Sequence, residues 1–240
     1  MCFTVNVNIV KEELENRYGR VLIDWEKYRP SYYYHAFSLP YLPVVTADAV
    51  RMMQWGLIPS WTENSDRATD IRLKTFNARS ETVAEKPAFA ESFSSRRCVV
   101  PVSGFYEFQH KGSEKLPWYI YPASDQILSL GGLWSEWTDP QANSVYSTFT
   151  IVTTAANSMM AGIHNHGRRM PLILPDDFIN LWLSGEPGTV APVMKPATEE
   201  VLKAHTIGPL IKSKSAYKNS ADLIKPYDYY ITGTLFDSIP

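Results

Sequence analysis

The chain has 240 residues, of which 45% are hydrophobic, and a formal net charge of −2. This length suits one large domain or two small ones, and the apolar content is enough for a sizeable core. A protein that binds nucleic acid through its overall charge is basic, so a charge of −2 restricts any nucleic-acid site to a local patch. Two cysteines, Cys2 and Cys98, are too few for a disulfide scaffold and favour a cytoplasmic protein.

Nothing in the sequence indicates a membrane protein or a secreted one. No apolar run reaches the ~18–20 residues that a membrane helix needs. No basic segment followed by an apolar one opens the chain, so we expect no signal peptide. Internal repeats and linkers are also missing, which predicts one domain over residues 1–240.

The predicted elements begin with a strand in CFTVNVNIV and a short helix in KEELENRYG that ends at Gly19. The aromatic stretch SYYYHAFSLPYLPVVTA is interrupted by Pro40 and Pro43, which indicates irregular strand and loop. VRMMQWGLIP predicts a strand that ends at Pro59. NARSETVAEKPAFAESF predicts two short helices separated at Pro87, since proline suits a first helical turn.

The second half of the chain is richer in strands. Four are predicted in RCVVPVSGFYEF, PWYIYP, ILSLGGLWSEW and YSTFTIVTTA, and their short connections favour antiparallel pairing. PDDFINLWLSG predicts a helix with acids in its first turn, and the tail predicts loop and a short strand. The expected fold is therefore α+β, a β-rich single domain whose mainly antiparallel sheet is barrel-like or split and is flanked by short helices.

Cys2 stands at the start of the first predicted strand. If Met1 is removed, Cys2 carries an α-amine with a pKa of about 7.7–8.0, so a useful fraction is nucleophilic near neutral pH. An amine beside a thiol reacts with an aldehyde by forming a Schiff base, which the thiol then closes into a thiazolidine ring. In the alternative interpretation Cys2 packs in the core, as free cysteine commonly does.

Two strand-like stretches carry further candidates for catalysis. Glu107 lies in the aromatic segment GFYEF, where burial would raise the pKa of its carboxyl group and suit it to general acid chemistry. On an edge strand Glu107 would instead point to solvent. Asn77 of NARSE is either a helix N-cap or a site residue, and Arg79 is either a helix surface charge or a phosphate contact.

AGIHNHGRRMPLIL places His164 and His166 before a predicted strand, and either ring is a candidate proton carrier. A His-x-His pair without cysteine at ligand spacing is weak evidence for zinc, so we predict neither a metal nor a cofactor. Trp55 and Trp61 of QWGLIPSW are core residues by default. Beside Pro59, one of them is alternatively a stacking platform for a base.

In this order, the motifs MC, WGLIPSW, NARSE, GFYEF, IH…RMPLIL and YKNSADLIKP resemble the SRAP family, the SOS-response-associated peptidases or abasic-site processing proteins. The resemblance runs over nearly the whole chain. It implies a DNA-repair protein that recognises abasic sites in single-stranded DNA and forms a covalent thiazolidine with the sugar aldehyde. It also implies that Met1 is removed to free Cys2 and that no cofactor is needed. We expect the protein to be a monomer.

The resemblance assigns four catalytic and four DNA-binding positions. The catalytic set holds the nucleophile, an amide that orients it, a general acid/base and a histidine for proton transfer, namely Cys2, Asn77, Glu107 and His164. The DNA-binding set holds a phosphate contact, a residue of the wedge that distorts DNA and two neighbours, namely Arg79, Trp61, Pro40 and Trp55.

Three departures from the family pattern bear on DNA affinity more than on chemistry. Members often begin Cys-Gly-Arg-Phe, whereas Phe3 and Thr4 stand here and supply no positive charge. A frequent Asn-x-Ala-Pro stretch is represented only by FSLP, which ends at Pro40. The histidine motif is longer, IHNHGRRMP, so His166 is an alternative to His164.

Two rival functions use the same residues. A cysteine amidohydrolase with an N-terminal nucleophile shares the terminal cysteine but needs an oxyanion hole and a small-molecule pocket. A non-catalytic domain that binds single-stranded nucleic acid would use Trp61 for stacking and Arg79 for phosphate. Covalent capture of abasic single-stranded DNA separates these possibilities.

Overall fold

A computed structural model describes residues 2–124 and 127–229. The strands are β1 (Thr4–Val7), β2 (Ser31–His35), β3 (Tyr41–Val45), β4 (Val50–Trp55), β5 (Asn77–Arg79), β6 (Arg97–Val102), β7 (Gly104–Lys111), β8 (Glu114–Pro122), β9 (Leu128–Thr138), β10 (Val145–Ala155), β11 (Arg169–Pro171) and β12 (Leu202–Thr206). The α-helices are α1 (Lys11–Tyr18), α2 (Ser65–Arg72), α3 (Ala90–Ser95), α4 (Ser158–Ile163), α5 (Ile179–Ser184) and α6 (Pro187–Val190). This confirms the predicted β-rich α+β fold with short helices.

The strands form a closed barrel and a second sheet. Strands β10, β4, β3, β6 and β9 make the barrel, which closes because β9 pairs with both β6 and β10. Strands β5 and β11 extend it by pairing with β10. The second sheet is antiparallel throughout and has the order β12-β8-β7-β1-β2.

The paired glycines of β9 let the barrel close tightly. A Cβ on Gly131 would lie 2.7 Å from Leu172 Cδ2, and one on Gly132 would lie 2.7 Å from the carbonyl oxygen of Thr150. Real Cβ atoms do not approach other atoms so closely, so LGGL leaves room for the neighbouring chain. All six residues of β6 are buried, which fits a strand covered on both faces.

The two sheets join at Ser103, between β6 and β7. Its amide donates to the carbonyl oxygen of Asn6 at 2.8 Å, and the Asn6 side chain donates to Tyr119 Oη at 2.9 Å. Strand β1 is thereby held between β2 and β7, with the amino terminus beside the barrel strand β5. Beyond β12, Asn219 Oδ1 accepts from the amide of Tyr32, so this later segment packs along the outer strand β2.

Several local predictions are confirmed. Helix α1 ends as expected, since Gly19 adopts the left-handed conformation with φ 62° and donates to the carbonyl of Glu15. The helix of PDDFINLWLSG begins with a 3₁₀ turn at Asp176–Phe178, and β12 is the short strand expected in the tail. Residues 230–240 of that tail lie outside the described residues.

Three local predictions are wrong. RCVVPVSGFYEF was predicted as one strand but forms two, which divide at Ser103. NARSE does not begin a helix, because Asn77–Arg79 pairs in parallel with β10 and only α3 forms further along. The strand of VRMMQWGLIP ends at Trp55 instead of Pro59. Gly56 breaks it, since its φ of 108° suits glycine alone and its amide turns to the carbonyl of Phe149.

None of the helices in the described part of the chain combines the length and the apolar character needed to cross a bilayer.

Candidate active site

Cys2 is completely buried, just before β1. The side-chain amide of Asn77 donates to the carbonyl oxygen of Cys2 at 2.9 Å. Asn77 reaches this position because it opens β5, whose pairing with β10 fixes the backbone on either side. Within the described residues its Oδ1 atom is buried without a hydrogen-bond partner, which leaves an acceptor next to Cys2. The sequence thus named Asn77 as a site residue but gave it the wrong local structure.

The thiol of Cys2 is not activated as a thiolate. Burial raises its pKa well above the ordinary value, and the charge of Glu107 acts in the same direction. Reactive cysteines of the thiolate type have the opposite property, a lowered pKa next to positive charge. Cys2 therefore holds a neutral S–H group at neutral pH, and the negative charge of Glu107 favours this state.

Glu107 lies in β7 opposite Trp118 of β8 and is 5% exposed. Burial raises the pKa of its carboxyl group to about 7, while the positive charge of the amino terminus acts to lower it. This confirms the prediction that an aromatic strand would raise the pKa of Glu107. A carboxyl group that titrates near neutral pH can both give and take a proton under working conditions.

His164 follows α4 as its C-terminal cap residue. Its Nδ1 atom lies 2.9 Å from the carbonyl oxygen of Arg169 and 3.2 Å from the Arg169 amide. Both contacts engage Nδ1 and fix the orientation of the ring. Burial lowers the pKa of His164, and the amino-terminal charge adds to that effect. The ring is therefore neutral at neutral pH.

His166 occupies a different place. Its ring stacks on His110 of β7, with centroids 5.1 Å apart and planes 8° from parallel. The side chain of Asn165, which lies between His164 and His166 in the chain, accepts from the His110 amide at 2.9 Å and donates to the His110 carbonyl at 2.7 Å. The loop that follows α4 is thus attached to β7 at His110, three residues beyond Glu107. This attachment holds His164 close to β7.

An ion pair that the sequence did not reveal holds the backbone beside His164. The guanidinium of Arg169 donates to both carboxylate oxygens of Glu81 and to the carbonyl of Thr153. This side-chain hydrogen bond lowers the pKa of Glu81. The only sign of this ion pair in the sequence was one acidic residue in NARSE, Glu81, and one basic residue in RRMP, Arg169. Arg169 therefore serves as an anchor, and its neighbour Arg168 is exposed.

Two of the four predicted DNA-binding residues lie at the surface. Trp61 is 48% exposed, and its Nε1–H donates to the carbonyl of Pro87 at 3.3 Å. Arg79 is exposed on β5, two residues after Asn77. Both side chains are accessible to a bound polymer.

The other two are placed differently. Trp55 is completely buried, donates from Nε1 to the carbonyl of Phe76 at 2.9 Å and stacks on Phe149. Its ring packs in the core and offers no face to DNA, which corrects the expectation for Trp55. Pro40 is half-buried, and its carbonyl accepts from the Trp55 amide at 2.9 Å.

A cavity of about 830 Å³ lies away from the site. It is lined mainly by apolar groups that include Leu128, Ile173 and Val193, and none of the catalytic candidates borders it. Among the residues that the structure describes, no cluster of three His, Cys, Asp or Glu side chains could hold a metal ion.

Comparison with known proteins identifies relatives over most of the chain. The family described as "SOS response associated peptidase (SRAP)" matches residues 1–214. The protein named abasic site processing protein YoqW, from Bacillus subtilis (strain 168), is 34% identical over 179 residues, covering 73% of this chain and 75% of that protein. The protein named abasic site processing protein HMCES, from Xenopus tropicalis, is 37% identical over 150 residues, covering 55% of this chain and 44% of that protein.

A solved structure has the same fold. The crystal structure of a protein from Bacteroides thetaiotaomicron superposes with a TM-score of 0.89 and 33% sequence identity, covering 94% of this chain and 100% of that one. A second, from Bordetella bronchiseptica, has a TM-score of 0.77 at 19% identity and supports the fold alone.

Proposed function

We propose, since the chain belongs to the SOS response associated peptidase (SRAP) family, that it processes abasic sites in DNA. More specifically, it captures the open-chain sugar of an abasic site in single-stranded DNA through Cys2, after Met1 has been removed. The observation that carries this proposal is the contact of the Asn77 amide with the Cys2 carbonyl, beside a Glu107 carboxyl group whose pKa is raised to about 7.

The first step is attack by the α-amine of Cys2 on the aldehyde carbon. A C–N bond forms, and the amine loses a proton as the carbonyl oxygen becomes a hydroxyl group. The neutral His164 ring, which its contacts with Arg169 orient, is suited to accept this proton and to pass it to the oxygen. The Asn77 hydrogen bond fixes the peptide carbonyl next to the amine, so the nucleophile is oriented before the aldehyde arrives.

In the second step Glu107 protonates the hydroxyl group, which leaves as water and gives the protonated imine. The carboxylate that remains takes the proton of the Cys2 thiol as its sulfur adds to the carbon of the protonated imine, and the electron pair of the C=N bond returns to the nitrogen, which keeps its proton. The net change is aldehyde plus aminothiol to thiazolidine plus water. A thiol that stays neutral until this step agrees with the raised pKa of Cys2.

DNA contacts are proposed for the exposed side chains on either side of this centre. Arg79 extends from the strand that carries Asn77, which suits a contact to a neighbouring phosphate. The half-exposed ring of Trp61 suits stacking against a distorted strand.

A denaturing gel tests the proposal. The protein without Met1 is incubated with single-stranded DNA that contains one abasic site, and we expect a covalent band that Cys2→Ala lacks. Cys98→Ala is the matched control, since Cys98 is also a fully buried free cysteine but lies in β6. A shift confined to native gels would indicate a binding module, and no interaction at all would favour the amidohydrolase.

A further inference from the structure

Three rings along the outer strand β2 and the turn after it stack on one another. Tyr33 and His35 are 6.2 Å apart between ring centroids with planes 6° from parallel, and His35 and Phe37 are 5.5 Å apart at 29°. We refer to Tyr33, His35 and Phe37 as the aromatic ladder. The alternation of a strand places residues 33 and 35 on one face, and the turn carries residue 37 onto the same side.

One end of the aromatic ladder reaches the proposed active site. Phe37 lies 5.5 Å from Phe3 and 4.9 Å from Phe76, measured between ring centroids. Phe3 directly follows Cys2 in the chain, and Phe76 directly precedes Asn77. The amide of Ala36 also donates to the Phe3 carbonyl at 2.8 Å, which fixes the turn against the amino terminus.

The other end of the aromatic ladder carries positive charge. The Nζ atom of Lys218 lies 4.6 Å from the ring centroid of Tyr33. Lys212 and Lys214 precede it in the same segment, and both are exposed. Burial lowers the pKa of His35, and the charge of Lys218 adds to this, so the middle ring of the ladder is neutral at neutral pH.

The aromatic ladder is open to a ligand. Phe37 is 55% exposed, while Tyr33 and His35 are half-buried. Among the described residues β2 is the outer strand of its sheet, and the segment that contains Lys218 and Asn219 lies along it. Flat rings in a row with a cationic end are the combination by which proteins hold single-stranded nucleic acid, since every base has a face that stacks.

We propose that the aromatic ladder binds the bases of the DNA strand that runs on from the captured nucleotide, with Lys218 against its phosphates. This role follows from the position of the aromatic ladder beside Cys2, and it therefore rests on the proposed function. Binding by the ladder is non-covalent, however, and is measurable on DNA that carries no aldehyde. An apolar protein partner fits less well, because the surface ends in lysines and includes an imidazole.

The test compares two oligonucleotides of equal length by fluorescence anisotropy. One carries thymine throughout, and the other carries unreactive tetrahydrofuran abasic analogues and therefore has phosphates but no bases. The wild-type chain is expected to bind the thymine strand more tightly. Phe37→Ala should weaken binding of the thymine strand by about fivefold or more, the scale of losing one stacked base, and leave the base-free strand unaffected.

Two further variants sharpen the test. Phe37→Leu keeps an apolar side chain of similar size without a ring, so it should resemble Phe37→Ala. Lys218→Gln should reduce the slope of log affinity against log salt by about 0.7, the value for one phosphate on a single strand, and keep the preference for bases. Trp25→Ala is the matched control, since Trp25 is 52% exposed and lies 5.2 Å from Lys11 Nζ in a separate lysine–aromatic pair.

Three results would overturn the assignment. They are a wild-type chain that binds both strands equally, a Phe37→Ala variant that keeps its preference, and a Phe37→Leu variant that behaves as wild type, which would indicate an apolar docking patch. Crosslinking to reactive abasic DNA is measured separately on the same proteins. Failure of the wild type to crosslink would contradict the proposed function, whereas loss of base preference alone would contradict only the role of the aromatic ladder.

Discussion

The position of Cys2 at the amino terminus matters more to the proposed chemistry than its thiol alone does. The thiol is fully buried, and its pKa lies above the ordinary value, so it is a poor first nucleophile. An α-amine has a pKa of about 7.7–8.0 and is partly unprotonated near neutral pH. The amine therefore attacks first, and the thiol traps the imine.

Glu107→Gln should slow adduct formation by about 100-fold or more, the usual scale for loss of a general acid or base. Gln keeps the shape of the side chain but cannot exchange a proton. Because burial raises the pKa of Glu107 to about 7, the wild-type rate should also fall as the pH rises above that value. Time courses on denaturing gels between pH 6 and 9 measure both effects. A wild-type rate in the variant would remove Glu107 from the mechanism.

His164→Ala should impair crosslinking, whereas His166→Ala should leave it nearly unchanged. His164 is held by the Arg169 carbonyl and interacts with the amino-terminal charge, while His166 stacks on His110 at the surface. The comparison uses the same gel assay with both variants at saturating DNA. The reverse order of effects would assign the proton-transfer role to His166.

At the scale of single elements, the residues of the candidate site were predicted better than the secondary structure around them. The burial of Glu107 was predicted from the alternation of side chains in one aromatic strand, which is a local feature of the sequence. Asn77 was predicted to be either a helix N-cap or a site residue, and the segment that begins with NARSE was predicted to be helical. Its pairing with Ile151 of β10 is a contact across 74 residues, and no local pattern encodes it.

The loop between α4 and β11 gives a prediction at this scale. A Cβ on Gly167 would lie 2.7 Å from His164 Cε1 and 2.8 Å from Nε2, so Gly167→Ala should displace the ring. We expect slower crosslinking with little loss of binding to undamaged DNA. Gly162→Ala is the matched control, since no atom lies within 4 Å of the added Cβ. Equal rates for the two variants would show that the loop adapts without moving His164.

Over the whole molecule, the sequence predicted a β-rich domain that was barrel-like or split, and the structure contains both a barrel and a second sheet. The closure of β9 onto β10 and the junction at Ser103 depend on long-range pairing, which composition and periodicity do not specify. For the same reason the aromatic ladder was not foreseen. SYYYH was predicted as irregular strand, and Tyr33 and His35 share one face only because β2 pairs with β1.

Stability should depend on pH through Glu107. Its pKa rises from 4.5 to about 7 on folding, so the folded chain binds more protons than the unfolded chain between these values. The free energy of unfolding should therefore fall as the pH rises through this window, by about 3 kcal/mol. Glu107→Gln should lack this fall, and the lowered pKa of His164 acts equally in both proteins.

Urea unfolding at pH 4.5, 6 and 8 measures this difference. Glu114→Gln is the control, because Glu114 is exposed at the start of β8 and its replacement should leave the wild-type profile unchanged. Parallel profiles for wild type and Glu107→Gln would show that burial does not disfavour the charged form of Glu107.

The most direct test of the aminothiol mechanism is intact-mass spectrometry after incubation with abasic single-stranded DNA. Two proteins are compared, one that begins at Cys2 and one that keeps an extension before Cys2. The extension preserves the thiol but turns the amine into an amide, whose lone pair is delocalised. We expect the first protein to show the mass of protein plus DNA minus one water, and the second to show no adduct. A stable adduct on a protein whose extension is still attached would contradict the mechanism and make Cys2 an ordinary thiol nucleophile.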